Sequence, residues 1–121
     1  VAGNYSLLPM DDWGDEFTTL EVPSMTFNEL CAKYGVMDVH YLQIDTEGYD
    51  AEIIKAIDFK KINIDIIKYE NWKFTEDCFK RYGDKSKLYG LNGMKDVSDL
   101  LTYLGYELMD CREDTLAIKI K

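Results

Sequence analysis

The sequence has little proline, histidine or cysteine, and its positive charges do not cluster. It has two prolines, Pro9 and Pro23, one histidine, His40, and three cysteines, Cys31, Cys78 and Cys111, in 121 residues. The cysteines are odd in number and widely spaced, with no CxxC pair, so no zinc or thiol-redox motif is present. They read as buried, reduced thiols of a cytoplasmic protein. Fourteen Lys and Arg stand against 23 Asp and Glu, for a formal net charge of −9. Without a run of cations, nucleic acid is excluded as a main partner, because neutralising phosphates needs clustered positive charge. An anionic membrane surface is excluded on the same ground. No apolar stretch approaches the ~18 residues of a spanning helix. No signal peptide is visible either, although the chain begins at Val1 and a targeting segment can lie upstream.

The rest is an ordinary globular composition, 46% hydrophobic and 31% charged, which argues against a disordered chain. The length fits a single domain. Residues 1–16 carry Gly3, Asn4, Pro9 and Gly14 with no periodicity and read as an irregular lead-in. Phe17–Val22 has strand-type residues and stops at Pro23. Thr26 with Glu29 makes a capping box. Phe27, Leu30, Cys31 and Tyr34 then give one helical stripe, closed by Gly35.

The apolar run Val39–Ile44 reads as a parallel strand covered on both faces, with His40 in the core or against a helix. It ends in Asp45-Thr46-Glu47-Gly48, and Tyr49, Ile53, Ile54 and Ile57 follow at helical spacing. Ile64–Glu70 is the next strand, completing a βαβ unit. A short helix is predicted over Thr75–Tyr82, then a polar loop from Gly83 to Gly93. Met94, Val97, Leu100, Leu101 and Leu104 form the strongest helical stripe, closed by Gly105. Tyr106–Cys111 and Thr115–Ile120 read as a hairpin. The fold class is therefore α/β, a mixed sheet with helices on its faces.

Ligands of open α/β sheets sit outside the carboxyl ends of the strands. Asp45 and Glu47 end one predicted strand, and Glu70 and Asn71 end its neighbour. These acids suit a general base that takes the proton of a substrate hydroxyl. Caps of the following helix, solvated strand ends and a Mg²⁺ site are the alternatives. No spacing resembles a dedicated metal loop. Gly48 allows positive φ or close approach, and Trp72 could line a pocket.

Four segments together resemble the FkbM-type methyltransferases. They are Thr26-Phe-Asn-Glu-Leu30, Leu42-Gln-Ile-Asp-Thr-Glu-Gly48, Ile66-Ile-Lys-Tyr-Glu70 and Gly105-Tyr106. Asp50 and Glu52 stand near the place where that family carries an acid after the glycine. The resemblance implies S-adenosylmethionine as cofactor and O-methylation of a small-molecule or sugar hydroxyl. Asp45, Glu47 and Glu70 are then the candidate catalytic acids, with Gly48, Tyr49, Asn71 and Trp72 on the substrate side. It also implies a seven-stranded Rossmann-like sheet whose cofactor binds at a glycine-rich turn after the first strand. The first third of this sequence has no such turn after a strand. The chain thus resembles the second, substrate-side half of that sheet, and a non-enzymatic α/β interaction module is the alternative. Val39–Ile44 would then lie at an open edge, inviting self-association or a partner chain.

Overall fold

The computed structural model of the protein describes residue 18 and residues 20–46, 48–71 and 93–120. The first helix, α1 (Phe27–Tyr34), starts where the capping box predicts. The Thr26 hydroxyl accepts the Glu29 amide at 3.1 Å, and Glu29 Oε2 accepts the Thr26 amide at 2.7 Å, so two amides at the helix start are satisfied reciprocally. The helix ends at Gly35, whose φ of 66° places it in the left-handed region. The Gly35 and Val36 amides donate to the carbonyls of Ala32 and Cys31, a pairing that lets glycine close a helix without a Cβ clash.

Strand β1 (Asp38–Ile44), helix α2 (Asp50–Ala56) and strand β2 (Asn63–Glu70) follow, and β1 pairs parallel with β2, from Asp38 beside Asn63 to Ile44 beside Tyr69. Asn28 of α1 fastens the far end of α2: its side chain donates to the Ala56 carbonyl at 2.8 Å and accepts the Asp58 amide at 2.9 Å. Helix α3 (Gly93–Tyr103) leads into β3 (Tyr106–Cys111) and β4 (Asp114–Lys119). The last two strands are antiparallel, and β4 also runs antiparallel to β2, giving the sheet order β1-β2-β4-β3. A parallel βαβ unit closed by an antiparallel hairpin is the expected mixed sheet. The hairpin turn is shorter than the predicted Arg112–Asp114, because Asp114 already pairs with Cys111. Gly93, read as the end of a loop, opens α3 instead.

The core joins Ile54 of α2, Ile64, Ile67 and Tyr69 of β2, Val97 and Leu101 of α3, and Ala117 of β4. Val97 and Leu101 belong to the predicted stripe. Tyr106 seals one end: its hydroxyl donates to the Ile64 carbonyl at 2.5 Å, and its ring meets Phe59 edge-on. Burial, with a smaller contribution from the charge of Asp65, pushes its phenol up to about 12. The unfolded phenol ionises near 10, so the fold favours the protonated form. That contribution is complete below pH 10 and is lost as pH rises from about 10 to about 12. Denaturant midpoints measured across this window should fall for the native chain, and the slope should be shallower in Tyr106→Phe.

Four expectations need correction. Val39–Ile44 is not covered on both faces: among the described residues β1 is an edge strand, and only its Ile44 is buried. His40 is not a core residue. Its side chain is 94% exposed and meets Asp65 across the strand pair at 2.9 Å, and an imidazole with a carboxylate partner keeps its charged form in solvent. No strand forms at Thr18 or Leu20–Val22, which remain exposed, with no neighbouring strand to pair them. Cys31 is buried as expected, but Cys111 is exposed because it ends β3, the outer strand of the hairpin. Cys78, the Thr75–Tyr82 helix and the loop before Gly93 lie outside the described residues.

Candidate active site at the carboxyl ends of the parallel strands

The parallel register determines which acids meet. Ile44, the last residue of β1, stands beside Tyr69, so Asp45, just past β1, and Glu70, the last residue of β2, each follow that matched pair. Neighbouring strands run ~4.8 Å apart, so these two positions lie close together at the carboxyl ends, where an open α/β sheet is expected to have its crevice. Asp45 is exposed and Glu70 half-buried. Gly48 is buried, with a φ of 113°, a conformation that suits glycine where the chain turns from β1 into α2. Tyr49 occupies the N-cap of α2 without a side-chain capping bond, and its ring stays partly exposed at 37%.

The residue that ties this corner together is Asp50, which the sequence reading left beside Glu52 without a role. Its side chain is fully buried. One carboxylate oxygen accepts the Thr46 amide at 2.9 Å and the Thr46 hydroxyl at 2.5 Å, and the other accepts the Glu70 amide at 2.9 Å. A buried carboxylate is costly unless its oxygens are hydrogen-bonded, and these three donors supply that. The sequence signal available was an acid directly after Gly48-Tyr49, at the first position of the helix. Its partners could not be read, because Glu70 reaches it only through the β1–β2 register.

Asn71 has a different setting from the acids. It is buried, its side-chain amide donates to the Thr115 hydroxyl at 2.7 Å, and its backbone amide donates to the Glu113 carbonyl at 2.6 Å. It thereby joins the exit of β2 to the start of β4. Nearby, Lys68 bridges to Asp114 at 3.1 Å, and the hydrogen bond to that carboxylate holds the lysine above its ordinary value. Behind the crevice Tyr69 is buried, which raises its phenol. Its hydroxyl has no partner in ordinary hydrogen-bond geometry among the described residues, although Thr115 and Ser98 lie close enough to oppose the rise weakly. Glu47 and Trp72 lie outside the described residues. Among the described residues no group of three or more His, Cys, Asp or Glu could hold a metal ion.

A shallow cleft of about 430 Å³ opens at the other end of β2, lined by Asn63, Asp65, Ile66, Ile118, Lys119 and Ile120. Beside it the hydrogen bond to Asp65 raises the His40 imidazole, and the same bond lowers the Asp65 carboxyl. This pair therefore holds from below the ordinary carboxylate range to above the ordinary histidine value. The cleft is open to solvent and remote from Asp45 and Glu70. The carboxyl ends of the parallel strands remain the better candidate, since that is where open α/β sheets place their ligands.

Asp45 and Glu70, with the Asp50 carboxylate buried beside them, stand at the end of the parallel pair where open α/β sheets place their ligands. The chain belongs to the FkbM methyltransferase family: the family profile, described as the methyltransferase FkbM domain, matches residues 2–108. The mixed sheet of four strands among the described residues is consistent with part of such a domain. No curated protein and no solved structure matches the chain. Among the described residues no helix is long and apolar enough to cross a membrane.

Proposed function

We propose that this chain provides the acceptor side of an S-adenosylmethionine-dependent O-methyltransferase, acting on a hydroxyl of a small molecule or sugar. The observation that carries this reading is the parallel register that ends with Ile44 beside Tyr69, from which Asp45 and Glu70 are each the next residue. Either carboxylate can orient an acceptor hydroxyl and take its proton, provided it comes within about 2.6–3.2 Å of the oxygen. The methyl group is the cofactor's contribution. The described residues fit the cofactor itself poorly. Gly48 is the only glycine between β1 and α2, and among the described residues no glycine-rich turn follows a strand to cradle it. The residues are accordingly assigned to the acceptor.

The test is release of S-adenosylhomocysteine by the natural polypeptide carrying these residues, offered S-adenosylmethionine and a panel of sugar and polyketide-type hydroxyls. Release that depends on an acceptor supports the reading, and its absence with every acceptor defeats it. Residues 1–121 alone should bind S-adenosylmethionine weakly or not at all, because in-line transfer needs both reactants held within about 3–3.5 Å. Calorimetry that finds low-micromolar affinity would overturn the assignment to the acceptor side.

The same reading extends to the outer edge of β1. Val39, Tyr41, Leu42 and Ile44 carry little charge to deter a further strand, and Tyr41 is exposed. We propose that this edge joins a second copy or a partner chain. Sedimentation at micromolar concentration should show self-association of the unmodified chain. A monomer whose Val39–Ile44 amides exchange slowly would show an edge already protected.

A further inference from the structure

We infer that Asp50 is the positioning residue of the acidic crevice, a bracket that holds the exit of β1 and the end of β2 at a fixed separation; its purpose rests on the methyltransferase reading above. An aspartate at a helix start ordinarily caps amides of its own helix. Asp50 opens α2, yet its oxygens turn away from that helix. One takes both donors of Thr46, just past the end of β1, and the other takes the amide of Glu70, the last residue of β2. Asp45 precedes one bonded residue, and Glu70 is the other. The residue that follows Asp45 and the backbone of Glu70 are thus held by opposite oxygens of a single buried carboxylate.

The burial is informative. The side chain is 0% exposed, and among the described residues no cation pairs with it. Removing a carboxylate from water is expensive without compensation. An apolar side chain would fill the same space without that expense, but it could not span the two strands with hydrogen bonds. Among the described residues the Asp50 side chain bonds only Thr46 and Glu70, so its geometry is directed at this corner.

Asparagine has nearly the same shape but one acceptor oxygen. In Asp50→Asn the new amide group must face either Thr46 or Glu70, and an N–H cannot accept from an N–H. The variant therefore keeps one side of the bracket and opens the other. In amide exchange by NMR, one of the Thr46 and Glu70 amides should exchange at least about tenfold faster, the scale of a lost hydrogen bond to a charged group, while the amides of Ile67 and Ala117 stay protected. In the natural polypeptide kcat for methyl transfer should fall about tenfold or more with little change in KM for S-adenosylmethionine, as expected of an interaction that matters at the reacting centre. Asp50→Ala should release both amides.

Thr46→Val removes only the hydroxyl donor and keeps the chain foldable if Asp50→Ala does not fold. It should lower kcat less than Asp50→Asn while leaving the Glu70 amide protected. Retained protection of both amides in Asp50→Asn, faster exchange spread evenly over the sheet, or an unchanged kcat would each overturn the inference. If the native polypeptide transfers no methyl group, the methyltransferase reading fails, and the exchange pattern still decides whether the bracket exists.

Discussion

Glu70→Gln is expected to lower methyl transfer by the natural polypeptide about 10²–10⁴-fold, the range associated with loss of a general base. Glutamine keeps the size and most of the packing of Glu70, which is half-buried, so the change is aimed at proton transfer. The backbone amide that Asp50 accepts is untouched. Asp45→Asn tests the other acid at the same level of the sheet. If Asp45 is the base, it carries the large decrease and Glu70→Gln shows a smaller one. Glu107→Gln, on exposed β3, is the control and should leave kcat unchanged. If neither Asp45→Asn nor Glu70→Gln lowers kcat, the acidic crevice is not where the hydroxyl is deprotonated.

Leu101→Ala should have the largest effect on stability. Leu101 is fully buried on α3, which packs against both α2 and β3, so truncation leaves a cavity between layers that cannot all close over it. Changes of this kind cost about 2–5 kcal/mol, a large share of the ~5–15 kcal/mol that holds a domain together. The urea midpoint should fall while the slope of the transition stays the same. Tyr103→Ala, two residues on but 87% exposed, should change stability by no more than about 0.5 kcal/mol. If the two variants proved equally destabilised, α3 would not seat Leu101 in the core.

What the sequence made legible was local. Thr26 and Glu29 announce α1 because both partners of the capping box lie within one turn, and Gly35 announces its end through a backbone angle. Runs of apolar and strand-type residues identify β1, β2 and the hairpin because such residues need only their own segment to be recognised. The parallel pairing of β1 with β2 was readable because a helix-length crossover between two such strands leaves few other arrangements. Readings that depended on neighbours across the sheet were less secure. His40 lies in an apolar run, but Asp65 on the next strand and the lack of a covering layer among the described residues make it a surface residue. Asp45 and Glu70 could be named from strand ends alone. The role of Asp50 could not, because its partners Thr46 and Glu70 come together only once the register exists. The bond from the Asn71 side chain to Thr115 of β4 could not be read either, because the sequence left open where β4 stands relative to β2.

The register of β1 on β2 also constrains how this gene can change length. Adding one residue inside either strand shifts its tail by about 3.3 Å and turns each later side chain to the opposite face. Asp45 would then no longer stand level with Glu70, and the Asp50 carboxylate could not reach both strand ends. An extra residue at Lys60–Lys61, exposed in the connection before β2, alters neither alignment. In lineages that keep the acid pair, insertions and deletions should therefore gather in that connection and spare the two strands. The crevice is inherited as a matter of counting residues between strands as much as of retaining particular acids.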